Sequence, residues 1–193
     1  MVPSRIVNCR PFTDCTKPRL KVTVANPLRV AATPVDLAEV VRHAVDRHLP
    51  PARELSVELT AAPVTDSSWV QGDEDRILQA VSNLIENALR VTPAGGSVDV
   101  RARPGEITVR DTGPGLEAED IPRAFERFYV HGRYRSECPV GSGLGLAIVR
   151  ELVTAMGGSV EASVPPDAGA QFTIRLPPAP ARSAPPDAVR PFA

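Results

Sequence analysis

Two carboxamides and a cation share one face of a single amphipathic segment. Between Asp73 and Val91, the residues Ile77, Val81, Leu84, Ile85 and Ala88 recur at helical spacing as an apolar stripe, while Asn83, Asn87 and Arg90 fall at i, i+4 and i+7 on another face. Asparagine is a poor residue for a helix interior, so two of them one turn apart need solvent or a ligand to justify them. Amide oxygens are hard ligands suited to Mg2+, and a neighbouring arginine offsets phosphate charge. Taken alone, the same spacing also suits a plain solvated face.

Two glycine blocks follow. The alternation of Glu106-Ile-Thr-Val-Arg-Asp111 puts Ile107, Val109 and Asp111 on one face, so the pattern that buries two aliphatic side chains also turns a carboxylate inward. A buried lone carboxylate is costly unless it accepts hydrogen bonds, which a ligand can supply. Asp111-Thr-Gly113-Pro-Gly115 permits close ligand approach, although the same residues also make an ordinary turn. Further on, Gly141, Gly143, Leu144 and Gly145 lead into an apolar helix, which offers backbone amides at a helix N-terminus to an anion such as phosphate. The Gly-x-x-x-x-Gly-Lys-Ser/Thr string of a P-loop is absent, and the block stands at the wrong end of a βαβ unit for a dinucleotide fingerprint. Phe125 and Phe128 sit one helical turn apart between the two glycine blocks, ahead of Tyr129, His131, Arg133, Tyr134 and Arg135. They read either as core plugs or as the root of a basic lid, since long loops in compact domains are usually functional or disordered.

The elements that must position these residues are legible in outline. Asp36 caps a helix through about His48, Leu55 to Leu59 alternate as a strand, and the asparagine helix runs from Asp73 to about Val91. Strands are predicted at Ser97 to Arg103, Glu106 to Asp111, Ser159 to Ser163 and Ala170 to Leu176, with a third helix from Gly143 to Met156 stopped by Gly157-Gly158. This order implies an α/β (α+β) two-layer sandwich: a mixed sheet of about five strands with about three helices on one face. Proline clusters at both ends, which divides the chain into a poorly ordered segment 1–30, a folded domain 31–177 and a Pro/Ala-rich flexible tail 178–193.

Composition excludes several classes. The 193 residues carry a formal net charge of -1 and no basic run, which gives nucleic acid no footprint. Cys9, Cys15 and Cys138 are odd in number and lack metal-ligand spacing, which suits a reducing cytoplasm and argues against a disulfide framework or zinc site. No apolar run approaches the roughly 18 residues that span a bilayer, and no signal-peptide core is visible. A cytoplasmic location with no membrane segment is expected.

In their order, Asn83-Leu-Ile-Glu-Asn87, Asp111-Thr-Gly-Pro-Gly115, Phe125-Glu-Arg-Phe128 and Gly141-Ser-Gly-Leu-Gly-Leu146 resemble the boxes of the histidine-kinase catalytic domain, from about Val35 to Pro177. The resemblance implies the Bergerat ATP-binding sandwich, shared with gyrase, mismatch-repair ATPases and heat-shock chaperones, and ATP and Mg2+ as cofactors. It implies that Asn87 holds the metal, with Asn83 and Arg90 near the phosphates, and that Asp111 accepts from the exocyclic amine of adenine. It further implies that Gly113 and Gly115 line the base, that Gly141, Gly143, Leu144 and Gly145 cradle phosphate, and that Phe125 and Phe128 root the lid. Arg133 and Arg135 are candidate lid cations.

Two departures refine the expectation. The hydrolases of this fold carry a water-activating glutamate where Asn83 stands, and a carboxamide cannot act as general base. Phosphoryl transfer is thus expected over ATP hydrolysis. A kinase of this type also needs a phosphoacceptor histidine followed by an acidic residue, and none of His43, His48 and His131 is so followed. All three read as surface polar residues. The expected function is a catalytic subunit that phosphorylates a histidine on a separate dimerisation or HPt-like protein, which relays the group to a response regulator, the chain alone being monomeric. The alternatives are a non-catalytic nucleotide-responsive module and an anti-sigma-factor-type serine kinase.

Overall fold

The computed structural model describes residues 33–62, 68–129 and 143–179. Its principal sheet has five strands: β2 (Glu58–Ala61), β4 (Ser97–Arg103), β5 (Glu106–Asp111), β6 (Ser159–Ser163) and β7 (Gln171–Arg175). Their order is β2-β4-β5-β7-β6; β2 runs parallel to β4 and every other pair is antiparallel. Val98 and Val100 on β4, Ile107 and Val109 on β5, and Phe172 and Ile174 on β7 are buried on the face that the helices cover. The expected α+β architecture, a mixed five-stranded sheet with three helices, is the one observed.

Helix α1 (Leu37–Glu54) begins where Asp36 accepts a hydrogen bond from the Ala38 amide at 3.0 Å. It continues past the expected stop near His48. Pro50 and Pro51 stand inside it, but the carbonyls deprived of donors belong to Asp46 and Arg47, both exposed residues, so neither group is buried without a partner. The buried stripe meanwhile carries on through His48 and Ala52. His48 is therefore not a surface residue as expected: it is 5% exposed, because position 48 extends the spacing of Ala44 and Val45.

Helix α2 (Glu74–Val91) is capped by Asp73, whose carboxylate accepts from the Arg76 amide, and its predicted stripe is buried throughout. Helix α3 (Gly145–Ala155) starts two residues later than expected, since Gly143 has a left-handed φ of 67° and Leu144 is the N-cap. The strand expected from Leu55 begins at Glu58 instead, because Leu55 and Ser56 form the turn that leaves α1, with Ser56 at φ 56°.

The alternation rules miss a small second sheet, β1 (Thr33–Asp36) antiparallel to β3 (Trp69–Gly72). The chain returns to it at the far end. Gln71 donates to the Pro177 carbonyl at 3.0 Å and Ala179 donates to that of Trp69 at 3.2 Å, so residues 177–179 line the free side of β3. The N-terminal alternation at Leu20, Val22 and Val24 lies outside the described residues.

Candidate nucleotide site

Asp111 closes β5 and is 1% exposed. One oxygen, Oδ1, accepts from the Gly113 amide at 2.9 Å and the Ala170 amide at 3.2 Å. The other, Oδ2, is buried with no hydrogen-bond partner among the described residues. Burial raises the pKa of this carboxyl; the two amides and the nearby Arg110 guanidinium oppose that rise without cancelling it. A buried acceptor in this condition is costly in the free protein and ready for a donor from a ligand.

The glycines of the turn after β5 are explained by the chain itself. A Cβ on Gly113 would lie 2.9 Å from the Val91 carbonyl oxygen, so the absent side chain lets the turn close on the end of α2. Gly115 has φ +80°, and a Cβ there would lie 2.7 Å from the Gly169 carbonyl oxygen. This packing joins the strand end to the asparagine helix. On that helix Asn83, Asn87 and Arg90 are all half-buried. The Asn83 Nδ2 is a second buried polar atom without a partner among the described residues, a donor where Asp111 offers an acceptor. Ser68 and Ser82 carry the remaining two such atoms, hydroxyl groups whose burial costs less than that of a carboxylate oxygen.

The two phenylalanines part company. Phe125 is buried and meets Phe172 of β7 edge to face, with centroids 6.0 Å apart and an 80° interplanar angle. Phe128 is 55% exposed at φ 63°, and its amide donates to the Gly143 carbonyl at 2.9 Å. That bond ties residue 128 to residue 143 on either side of the stretch outside the described residues. On the near side Tyr129 donates to the buried Asp120 carboxylate at 2.7 Å, with the Arg123 guanidinium 3.9 Å from its ring centroid. An ion pair from Arg127 to Glu151 joins the same segment to α3.

Gly145 differs from the other glycines named here. Its φ lies outside the left-handed range and a Cβ would meet nothing within 4 Å among the described residues, so neither the backbone nor these neighbours demand a glycine. It opens α3, whose N-terminus has no side-chain cap. Both features leave room for an anion at the helix end. Gly141, Arg133, Arg135 and His131 lie outside the described residues. His48 bonds the Ala44 carbonyl through Nδ1 at 2.7 Å and sits 3.5 Å from Glu86 on α2.

Residues 72–180 match the family of histidine kinase-, DNA gyrase B- and HSP90-like ATPases. The chain belongs to this family. Among curated relatives of this ATPase domain, the sensor-like histidine kinase SenX3 of Mycobacterium tuberculosis is 38% identical over 150 residues, which is 75% of this chain and 36% of SenX3. The signal transduction histidine-protein kinase BaeS of Escherichia coli is 41% identical over 116 residues, 58% of this chain and 25% of BaeS. The chain thus spans about a third of the length of the SenX3 relatives it matches. Among solved structures, full-length ShkA in complex with AMPPNP superposes at TM-score 0.67 with 32% identity, over 80% of this chain and 32% of that one. The mycobacterial sensor histidine kinase MprB superposes at 0.62 with 35% identity, over 76% and 97%. These relatives support ATP binding within a two-component kinase family. Among the described residues, no helix is long and apolar enough to cross a membrane.

Alternation and helical spacing put Asp111 at the end of β5 and Asn83 and Asn87 on α2, as observed, but left out Asp120, which holds Tyr129, and Gly169 and Ala170, which pack on Asp111. Asp120 gave no signal beyond being one more acid in a loop. Gly169 and Ala170 carried one faint mark, a glycine in the short connection between two predicted strands.

Proposed function

We propose that this ATPase domain binds Mg-ATP and transfers the γ-phosphoryl group to a histidine on a separate protein, which passes it to a response regulator. The observation that carries the reading is the Asp111 carboxylate, held by two amides on one oxygen and left with an unpaired, buried second oxygen. The exocyclic amine of adenine is the matching donor.

The donor set suits the metal nucleotide. The Asn87 amide oxygen would hold Mg2+, and the metal supplies charge neutralisation to the phosphates when bound. Asn83 offers its unpaired Nδ2 to a phosphate oxygen, and Arg90, on the same helix face, adds a positive charge. Gly143, Leu144 and Gly145, with Gly141 before them, present the start of α3 to the triphosphate, while Arg133 and Arg135 are the candidate lid cations. Phe125 fixes the lid's near end in the core, and Phe128 carries the turn into it.

Transfer in line needs positioning and charge stabilisation more than a strong base. An imidazole nitrogen of the acceptor attacks the γ-phosphorus, the bond to the β–γ bridging oxygen breaks, and ADP leaves with that electron pair. Asn83 stands where a base would have to stand for hydrolysis, and a carboxamide takes no proton. His48 is buried and cannot present its imidazole to a second domain, which favours an acceptor elsewhere.

The test is transfer of label from γ-labelled Mg-ATP to a protein bearing a His-motif helical hairpin. Acid-labile label on that protein, lost with Asn87→Ala, is the expected result. ATP binding with no transfer to any such acceptor would leave a nucleotide-responsive module instead.

A further inference from the structure

We propose that the tip of the β6–β7 hairpin, through Gly169 and Ala170, is a positioning element for the nucleotide that fixes which oxygen of Asp111 faces the base. This rests on the reading of Asp111 as the base acceptor.

The hairpin loop spans residues 164–170 and is built to reach Asp111. Ala168 and Gly169 are consecutive left-handed residues at φ 75° and 86°, a strained backbone for the alanine. The turn they make brings Gly169 against the backbone of Asp111 and Thr112: a Cβ there would collide with the Asp111 carbonyl oxygen and lie 3.2 Å from the Thr112 Cα. From the other side, the Gly169 carbonyl blocks any side chain at Gly115. Two positive-φ glycines from distant parts of the chain therefore pack backbone to backbone around one carboxylate.

Ala170 then makes a two-way contact. Its carbonyl accepts from the Asp111 amide at 3.0 Å, and its own amide donates to Asp111 Oδ1 at 3.2 Å. The first bond continues the β5–β7 ladder, and the second leaves the ladder for the side chain. With the Gly113 amide on the same oxygen, the carboxylate plane is set and Oδ2 keeps both lone pairs. An ion pair at 3.3 Å between Arg110 and Asp167 tethers the loop to the strand on the outer side. The site is thus pre-organised by a hairpin 59 residues away in sequence, which removes an ordering cost from binding.

A hairpin that merely closed the sheet would affect stability and leave the titration of Asp111 alone. The pH dependence of nucleotide binding separates the two. Asp111 must be ionised to accept at Oδ2, and the Ala170 amide favours that ionised form. Arg110, paired with Asp167, is the charged side chain that favours the ionised form of Asp111.

The experiment is ATP affinity by calorimetry from neutral to acidic pH for the wild-type domain and Ala170→Pro, which deletes the amide donor and keeps the carbonyl. The expected result is about tenfold weaker binding at neutral pH, the usual effect of losing a hydrogen bond to a charged group, with the acid limb moved to higher pH. An unmoved limb in a folded variant overturns the proposal. In parallel, the wild-type Ala170 amide resonance should titrate with the same midpoint as that of Gly113. An Ala170 amide that does not follow Gly113 overturns the proposal even where the variant fails to fold. If wild-type ATP binding has no acid limb while both amides titrate, the reading of Asp111 as base acceptor fails, and the proposal falls with it.

Discussion

The two ends of the proposed nucleotide site are built on opposite plans. At the Asp111 end, carboxylate, turn and hairpin hold one another: Gly113 lies on the end of α2, Gly115 on Gly169, and both Gly113 and Ala170 donate to the same oxygen. At the other end, among the described residues, Asn83 has a donor without a partner, Asn87 and Arg90 are half-exposed, and Gly145 has no neighbour where its side chain would stand. The first end is finished before any ligand arrives and lacks one donor. The second is a set of polar groups that only a ligand completes. A planar base has one shape and rewards a rigid frame, whereas a triphosphate moves along the reaction and rewards groups that can follow it.

Three substitutions break this contrast, in falling order of effect, with Phe128→Ala as the control for the first. Phe125→Ala removes the ring that packs on Phe172 of β7. It should cost about 3–5 kcal/mol of stability, read by denaturant unfolding, whereas Phe128→Ala at the exposed position should change stability by less than about 0.5 kcal/mol. Equal losses from the two would erase the distinction. Asn87→Ala acts at the open end and should lower phosphoryl transfer on the order of 10²-fold with little change in melting temperature, because the helix stripe behind it is untouched. Asp111→Asn acts at the finished end. Its oxygen can replace Oδ1 towards Gly113 and Ala170, which places an NH2 donor against the adenine amine. ATP binding should weaken by roughly 10- to 100-fold, as for a lost hydrogen bond to a charged group. A nucleotide with a 6-oxo base, which presents an acceptor there, should gain relative to ATP in the same titration. Loss of both nucleotides alike would show that Asp111 holds the turn rather than reading the base.

How much of this could be read in advance depended on the range of the interactions. Helix α2, β4 and β5 follow the sequence residue by residue because each buries one face along a run long enough to show its period. The inward turn of Asp111 follows from the same alternation. The four-residue strands β1 and β3 are too short to show any period, and only their mutual pairing makes them strands. The end of α1 was hidden by Pro50 and Pro51, whose cost falls when the deprived carbonyls belong to exposed residues. Which oxygen of Asp111 stays free was not legible, since the deciding amide comes from Ala170 and no local pattern links the two positions. For the same reason Phe125 and Phe128 looked alike: burial of one rests on Phe172 in a distant strand.

The smallest expected effect tests the finished end without a mutation. Because burial raises the pKa of Asp111 above that of the unfolded chain, the folded protein holds this proton where the unfolded chain has already lost it. The contribution of Asp111 to stability is then full at low pH and is lost as pH rises through the raised folded pKa. Its contribution to ATP binding runs the other way, since only the ionised carboxylate accepts from the base amine, and affinity falls as pH drops through the same value. Thermal unfolding of the free domain should therefore show an Asp111-dependent gain in stability on acidification, absent in Asp111→Asn, over the pH range in which ATP affinity is lost. The open end supplies no such coupling at its two asparagines, because carboxamides do not titrate. If stability and affinity instead fell together on acidification, the buried oxygen would have a partner within the protein, and the contrast between a frame short of one donor and a cluster awaiting its ligand would not hold.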